Sequence, residues 1–154
     1  MQLKELGARV FAINHLRRSR IQKRTVGHEM HPTQLPILEA IISMPGCRQR
    51  DAARALGVTA ASIALSTKRL EKSGCIEKRV DPDNRRSNQL YATERGRETT
   101  ALFRRAFDET DAETFAGFSD EEKIRLSGYF DRMIANLSDP EQPIVPYKKE
   151  EIHA

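Results

Sequence analysis

The sequence predicts a mostly α-helical domain of the α+β class, with its only strands in one hairpin near the middle of the chain. Three observations carry this reading. Apolar residues recur at three- and four-residue spacing over much of the chain. Capping residues and glycines punctuate those stretches. One polar, turn-forming tract, Asp81-Pro82-Asp83-Asn84-Arg85-Arg86-Ser87, separates two short strand-like runs. A chain of 154 residues favours one domain of ordinary size, able to bury a core without disulfides or metal.

Residues 3–24 place Leu3, Leu6, Val10, Ile13, Leu16 and Ile21 at helical spacing. Arg17, Arg18, Arg20, Lys23 and Arg24 gather towards the C-terminal end, where cations complement the helix dipole, and Gly27 ends the helix. A second helix covers about 33–44, with two competing starts: Pro32 at the first position, or Thr33 as N-cap with Pro36 at the third. The prolines predict a weak or kinked start before Ile37, and Met44-Pro45-Gly46 ends the helix. Residues 48–56 form a short helix rich in small residues (Ala52, Ala53, Ala55), closed by Gly57. Thr59 then caps another, with Ile63 and Leu70 as its apolar stripe, Ser66 and Thr67 between them, and Gly74 as a left-handed cap. Strands at Cys75–Val80 and Asn88–Ala92 flank the polar tract, which reads as a long hairpin loop. Thr93 caps a long helix to about Phe115, with Leu102, Phe103, Ala106 and Phe107 on one face. Gly117-Phe118 breaks it, and Ser119-Asp120-Glu121-Glu122 is a capping box opening the last helix, to about Leu137. The end of the chain carries three prolines and an apolar island, Pro143-Ile144-Val145-Pro146-Tyr147, that reads as packing on a partner subunit in preference to a disordered terminus.

The net charge of +4 hides an asymmetry. Residues 1–45 carry seven basic and three acidic side chains, residues 46–97 twelve and six, and residues 98–154 seven and thirteen. A basic middle and an acidic C-terminal third suggest a polyanion-binding module carried on a separate element; unevenly solvated faces would give the same totals. The chain divides accordingly into N-terminal helices (1–45), a central lobe (46–97), C-terminal helices (98–137) and a tail (138–154), all one structural domain. No apolar run approaches the ~18 residues that span a bilayer. The first residues show no secretory signal, and two cysteines, Cys47 and Cys75, suit a reducing cytoplasm. There is no GxGxxG, P-loop, HExxH or GxSxG, so no enzymatic activity is expected. His28-Glu29-x-His31 is too sparse to define a metal site, and no metal or cofactor is expected.

The centre of the chain reads as a helix-turn-helix plus wing. A short helix packs across the next through Ala52, Ala53, Leu56, Val58, Ile63 and Leu70, and Gly57 permits the sharp turn between them. The second helix then presents its N-terminal residues to a major groove, and arginines at the hairpin tip reach phosphates or a minor groove. The stretch Arg48–Gly96 resembles the winged-helix domain of MarR-type transcriptional regulators. The matching words are Ala52-Ala53-Arg54-Ala55-Leu56-Gly57-Val58-Thr59, Lys68-Arg69-Leu70-Glu71-Lys72-Ser73-Gly74, Asp81-Pro82-Asp83-Asn84-Arg85-Arg86 and Ala92-Thr93-Glu94-Arg95-Gly96. Gln34 through Leu38 resembles the start of the family's second helix, and with the flanking helices the resemblance covers about residues 1–137. It implies a homodimer built through the N-terminal helix and the last two helices, each lobe binding half of a pseudo-palindromic operator in double-stranded DNA. It also implies a transcription factor, usually a repressor, released by a small-molecule effector or by oxidation.

Two departures stand out. Asn84 occupies the position where the family's wing usually carries an Asp before Arg86; Asn can hydrogen-bond the Arg but orients it more weakly, unless Asp81 or Asp83 substitutes. Ala64-Leu65 stands where polar side chains are common. Leu65 cannot hydrogen-bond a base edge but can touch a thymine methyl, which leaves direct readout to Thr59, Ser62, Lys68 and Arg69 and more weight on shape and phosphate contacts. The candidate DNA contacts are Thr59, Ala60, Ser62, Leu65, Lys68, Arg69, Arg85 and Arg86, with Lys72, Lys78 and Arg79 as further cations that serve equally as solvated surface. Phe11, His15 and Arg17 are candidates for an effector pocket, with Phe103 and Phe107 beside them; aromatics at helical spacing read more simply as dimer core. Cys47 lies next to Arg48 and Arg50 at a helix N-terminus, a setting that lowers a thiol pKa and would favour redox sensing, whereas Cys75 reads as buried packing. A winged-helix protein-interaction module gripping an acidic protein partner is the alternative function.

Overall fold

The structure, a computed structural model, describes residues 2–81 and 84–138, without the side chains of 81 and 84–87. The wing-tip residues Pro82 and Asp83, the side chains of Arg85 and Arg86, and the tail island at 144–147 lie outside the described residues.

Helix α1 (Leu3–Arg24) leads to a 3-10 turn (Pro32–Gln34) and α2 (Leu35–Ser43). The 3-10 turn resolves the two competing starts. Pro32 takes its first position after His31, whose backbone N–H donates to Gln34 Oε1 at 2.9 Å. The α-helix proper then starts at Leu35, with Pro36 in its first turn where no intrahelical N–H is required. Strand β1 (Cys47–Arg48), α3 (Gln49–Leu56), α4 (Ala60–Lys72), β2 (Ile76–Asp81), β3 (Asn84–Ala92), α5 (Glu94–Thr114) and α6 (Asp120–Leu137) complete the described elements.

The sheet differs from the expected single hairpin in two ways. It has three antiparallel strands in the order β1-β3-β2, with Cys47 opposite Leu90 and Arg48 opposite Gln89. A two-residue strand is too short to show any periodicity, so β1 had no sequence signature. The second difference is the wing. β3 begins at Asn84 rather than Asn88, and Asp81 faces Asn84 across a register shift between Val80 and Asp81. The polar tract is therefore mostly strand, not a long loop. The backbone ladder that starts at Ile76–Ala92 continues past the core, because hairpin arms need no apolar alternation once they leave it.

α2 is the centre of the packing and meets α3, α4, α5 and β3. Leu35, Leu38 and Ile41 from α2, Ile63 and Leu70 from α4, and Leu90 from β3 are almost fully buried in one cluster. Phe103 of α5 is fully buried in it too, with Phe107 packed at the edge. The expectation that Phe103 belongs to a dimer core is corrected: it closes the core of its own protomer, where α5 crosses α2. Cys75 is buried as expected.

α1 and α6 behave differently. Ile21 is the one buried residue among the described positions of α1, and α6 buries none. Leu3, Leu6, Val10, Phe11 and Leu16 are exposed along α1, and Ile124, Phe130, Met133 and Leu137 along α6. Contact between α1 and α5 is largely ionic. Arg24 reaches Glu109 at 3.2 Å and the Thr110 hydroxyl at 2.9 Å and also pairs with Glu113; Arg20 lies 3.5 Å from Glu113, and Arg17 pairs with Asp111. Among the described residues, no helix is long and apolar enough to cross a membrane.

Candidate nucleic-acid interface

The α3–α4 unit begins with Asp51, whose carboxylate accepts the Arg48 N–H at 2.9 Å and caps α3. Gly57 ends α3 in the left-handed region (φ +62°), which a side chain would strain. Val58 N–H then bonds the Ala53 carbonyl at 3.1 Å, and Thr59 Oγ1 accepts the Ser62 N–H at 3.2 Å, starting α4. α4 buries Ile63, Thr67 and Leu70. At 3.6 residues per turn, Ala61, Leu65 and Lys68 fall on the opposite side, and all three are exposed.

A polar latch that sequence reasoning missed holds α4 at that angle. Gln49 Nε2 donates to Thr67 Oγ1 at 2.8 Å, and Thr67 Oγ1 donates to the Ala64 carbonyl at 3.2 Å. Gln34, itself buried, donates from Nε2 to the Ser66 carbonyl at 3.3 Å. Nothing in spacing or composition marks Gln34, Gln49 and Thr67 as partners, because they come from three separate helical segments. Thr67→Val keeps the shape and removes the hydroxyl. We expect it to lower unfolding free energy by about 1–3 kcal/mol, the cost of a buried polar group left without its bond, read from the urea midpoint.

The expected DNA contacts on α4 lie together. Thr59, Ala60, Ser62, Leu65, Lys68 and Arg69 are all exposed, as is Lys72. Arg85 and Arg86 lie on β3, the wing strand. Lys78 and Arg79 are committed elsewhere: Lys78 bonds Glu71 at 2.7 Å and ties β2 to α4, while Arg79 pairs with Glu77 and stacks over Tyr91 at 4.3 Å. Among the described residues, Lys68, Arg69 and Lys72 have no ion-pair partner.

The effector candidates do not all converge. A cavity of about 230 Å³ between α1 and α5 is lined by Ile13, Leu16, Arg17, Arg20, Thr110 and Glu113, among others. Arg17 Nε is buried without a hydrogen-bond partner among the described residues. Phe11 and His15 stack on each other, with ring centres 6.2 Å apart, outside that lining. His28 packs edge-on against Phe103, Glu29 lies 3.4 Å from Arg95, and His31 Nδ1 lies 2.8 Å from the Thr33 hydroxyl, so the three have separate local partners. Among the described residues, no cluster of His, Cys, Asp or Glu is placed to hold a metal ion.

The Cys47 reading is corrected. Burial, and then the Asp51 carboxylate, push its thiol pKa up. The cause is β1: pairing with β3 draws Cys47 into the core, and the Asp51 carboxylate that caps α3 adds to the effect of burial. A thiol reagent should therefore label Cys47 slowly in the folded protein and rapidly after denaturation. Because folding raises this pKa, the stability it contributes is complete below the unfolded thiol range of about 8.5. It is lost as pH rises through the folded value, and Cys47→Ser should flatten that alkaline decline.

Residues 28–87 match the MarR family profile. A curated relative, the uncharacterized HTH-type transcriptional regulator YybA of Bacillus subtilis (strain 168), is 31% identical over 100 residues, covering 65% of this chain and 67% of YybA. The chain belongs to the MarR family. The crystal structure of MarR superposes with a TM-score of 0.69 at 28% identity, over 88% of this chain and 90% of that one. The organohalide-sensing regulator RdhR-CbdbA1625, solved in its 2,4-dichlorophenol-bound form, shares the fold with a TM-score of 0.80 at 18% identity, over 96% of this chain and 91% of that one. This chain is thus a MarR-type, DNA-binding transcriptional regulator.

Proposed function

We propose that this MarR-family chain acts in the cytoplasm as a homodimeric repressor that grips a pseudo-palindromic operator and lets go when a small molecule binds. It carries out no catalysis. α4 enters the major groove, with Thr59, Ala60, Ser62, Leu65, Lys68 and Arg69 towards the bases and nearby phosphates. The wing brings Arg85 and Arg86 to the backbone or an adjacent minor groove. Residues 46–97 do the binding, and residues 1–45 and 98–137 supply the dimer. The observation that carries this reading is the division of exposed surface. Unpaired cations gather on α4, while exposed apolar side chains gather on α1 and α6, which bury almost nothing within the protomer. Apolar surface of that extent marks an interface, and a second copy supplies a matching one.

We assign the effector site to the α1–α5 cavity, where Ile13 and Leu16 lie beside Arg17, Arg20 and Glu113, a mixed apolar and polar lining suited to a small organic molecule. Phe11 and His15 belong to the surrounding α1 surface. The test is DNA selection from a random pool with purified protein, with and without candidate small organic molecules, and sedimentation to fix the mass. A palindromic consensus bound by a dimer supports the reading. Equal binding to all sequences, or a monomer on DNA, refutes it.

A further inference from the structure

The outward face of α4 is chemically split. Its first two turns present Ala60, Ala61, Ala64 and Leu65 to solvent, and its last turns present Lys68, Arg69 and Lys72. Leu65 is 52% exposed although it stands in a helix whose opposite side is tightly buried. The hydroxyls of Thr59 and Ser62 stand beside these apolar groups. Thr59 Oγ1 accepts the Ser62 N–H, and Ser62 stands one turn before Leu65 on the same exposed face. Base edges are read mainly from the N-terminal part of a recognition helix, and here most of that exposed surface is methyl and isobutyl groups, with the two hydroxyls alongside. In the major groove the one apolar group on a base pair is the C5-methyl of thymine.

Resting on the DNA-binding reading above, we propose that Leu65, flanked by Ala61 and Ala64, reads thymine methyl groups in the operator, and that this apolar contact supplies sequence specificity at its position. The neighbouring cations fix the occupant as DNA: Lys68, Arg69 and Lys72 follow on the same helix, one to two turns on, where phosphates of the same groove would lie. Readout of this kind carries no charge. It therefore persists at salt concentrations that weaken the phosphate contacts.

The test begins with the preferred duplex recovered by selection, in which each thymine is replaced singly by deoxyuridine, removing only the methyl. Affinity is measured by fluorescence anisotropy at low and high salt. The expected result is one thymine per half-site at which uracil weakens binding about fourfold, the equivalent of about 0.8 kcal/mol for one buried methyl, with the same ratio at both salts. Leu65→Ala should bind the thymine duplex more weakly and lose the thymine–uracil difference at that position. Leu65 is exposed, so the variant keeps its fold. A preferred duplex indifferent to uracil at every thymine, or one lacking thymine opposite α4, overturns the methyl readout while leaving DNA binding intact. A persistent uracil effect in Leu65→Ala removes the assignment to Leu65. A pool that yields no preferred sequence overturns the DNA-reading function itself, and this proposal with it.

Discussion

Gly96→Ala lowers the melting temperature by about 10 °C or more. A Cβ at this position would lie 2.1 Å from the Cys75 carbonyl oxygen and 3.0 Å from its carbon. Both are backbone atoms, so no rotamer change relieves the clash. The approach is close because the first turn of α5 is tied to the chain leaving α4. Thr93 N–H donates to the Cys75 carbonyl at 3.0 Å, Thr93 Oγ1 donates to the Gly74 carbonyl at 2.6 Å, and Gly96 N–H donates back to Thr93 Oγ1 at 3.0 Å. One methyl forces α5 away from β2 and breaks that set together. Overpacking costs about 1–3 kcal/mol where side chains can yield, and here they cannot, so the upper end or beyond is expected. Thermal denaturation followed by circular dichroism reads it, and a melting temperature equal to the parent's would show that the backbone gives way more easily than this geometry allows.

Replacing Arg85 and Arg86 together with alanine weakens operator binding by about one to two orders of magnitude at low salt, two solvent-exposed charge contacts at up to about 1 kcal/mol each. The more telling readout is the salt dependence. Each phosphate neutralised contributes about 0.9 to the slope of log affinity against log salt, so losing two contacts flattens it by about 1.8 for each protomer engaged. Folding should be unaffected, because β3 pairs through its backbone with β1 and β2. A slope equal to the parent's would remove the wing arginines from the phosphate backbone. Lys78 and Arg79 serve as controls: they are held by Glu71, Glu77 and Tyr91, and their removal should alter the slope less.

Much of the fold was legible because its boundaries are set by local chemistry. Thr59, Thr93 and Ser119 each accept a backbone N–H three residues on, as their positions before apolar-periodic stretches predicted. Gly57 and Gly74 take the left-handed conformation expected at helix ends. Features made by distant residues were not legible. β1 exists only because Leu90 and Gln89 lie opposite it, and the Gln34–Gln49–Thr67 latch joins segments that no spacing rule connects. The wing was misread because Asp, Pro and Asn signal a turn, whereas the ladder carries β3 through much of that tract. On the candidate interface, the exposed cluster on α4 followed from the buried period of Ile63 and Leu70. Phe103 showed the limit: its helical spacing identified a packed face but not whether the partner was another helix of the same chain or a second subunit.

The ionic attachment of α1 has a consequence for every measurement made in salt. Arg17, Arg20 and Arg24 hold this helix to Asp111, Glu109 and Glu113 of α5, with Ile21 as its buried apolar anchor. Ions that compete for phosphates compete for these exposed carboxylates as well. Once salt is high enough to detach the arm in the free protein, a titration of operator binding records that detachment as a second contribution beside the release at the nucleic acid. Only differences between variants that share the same arm, such as the wing pair against its parent, cancel the second and count phosphates alone.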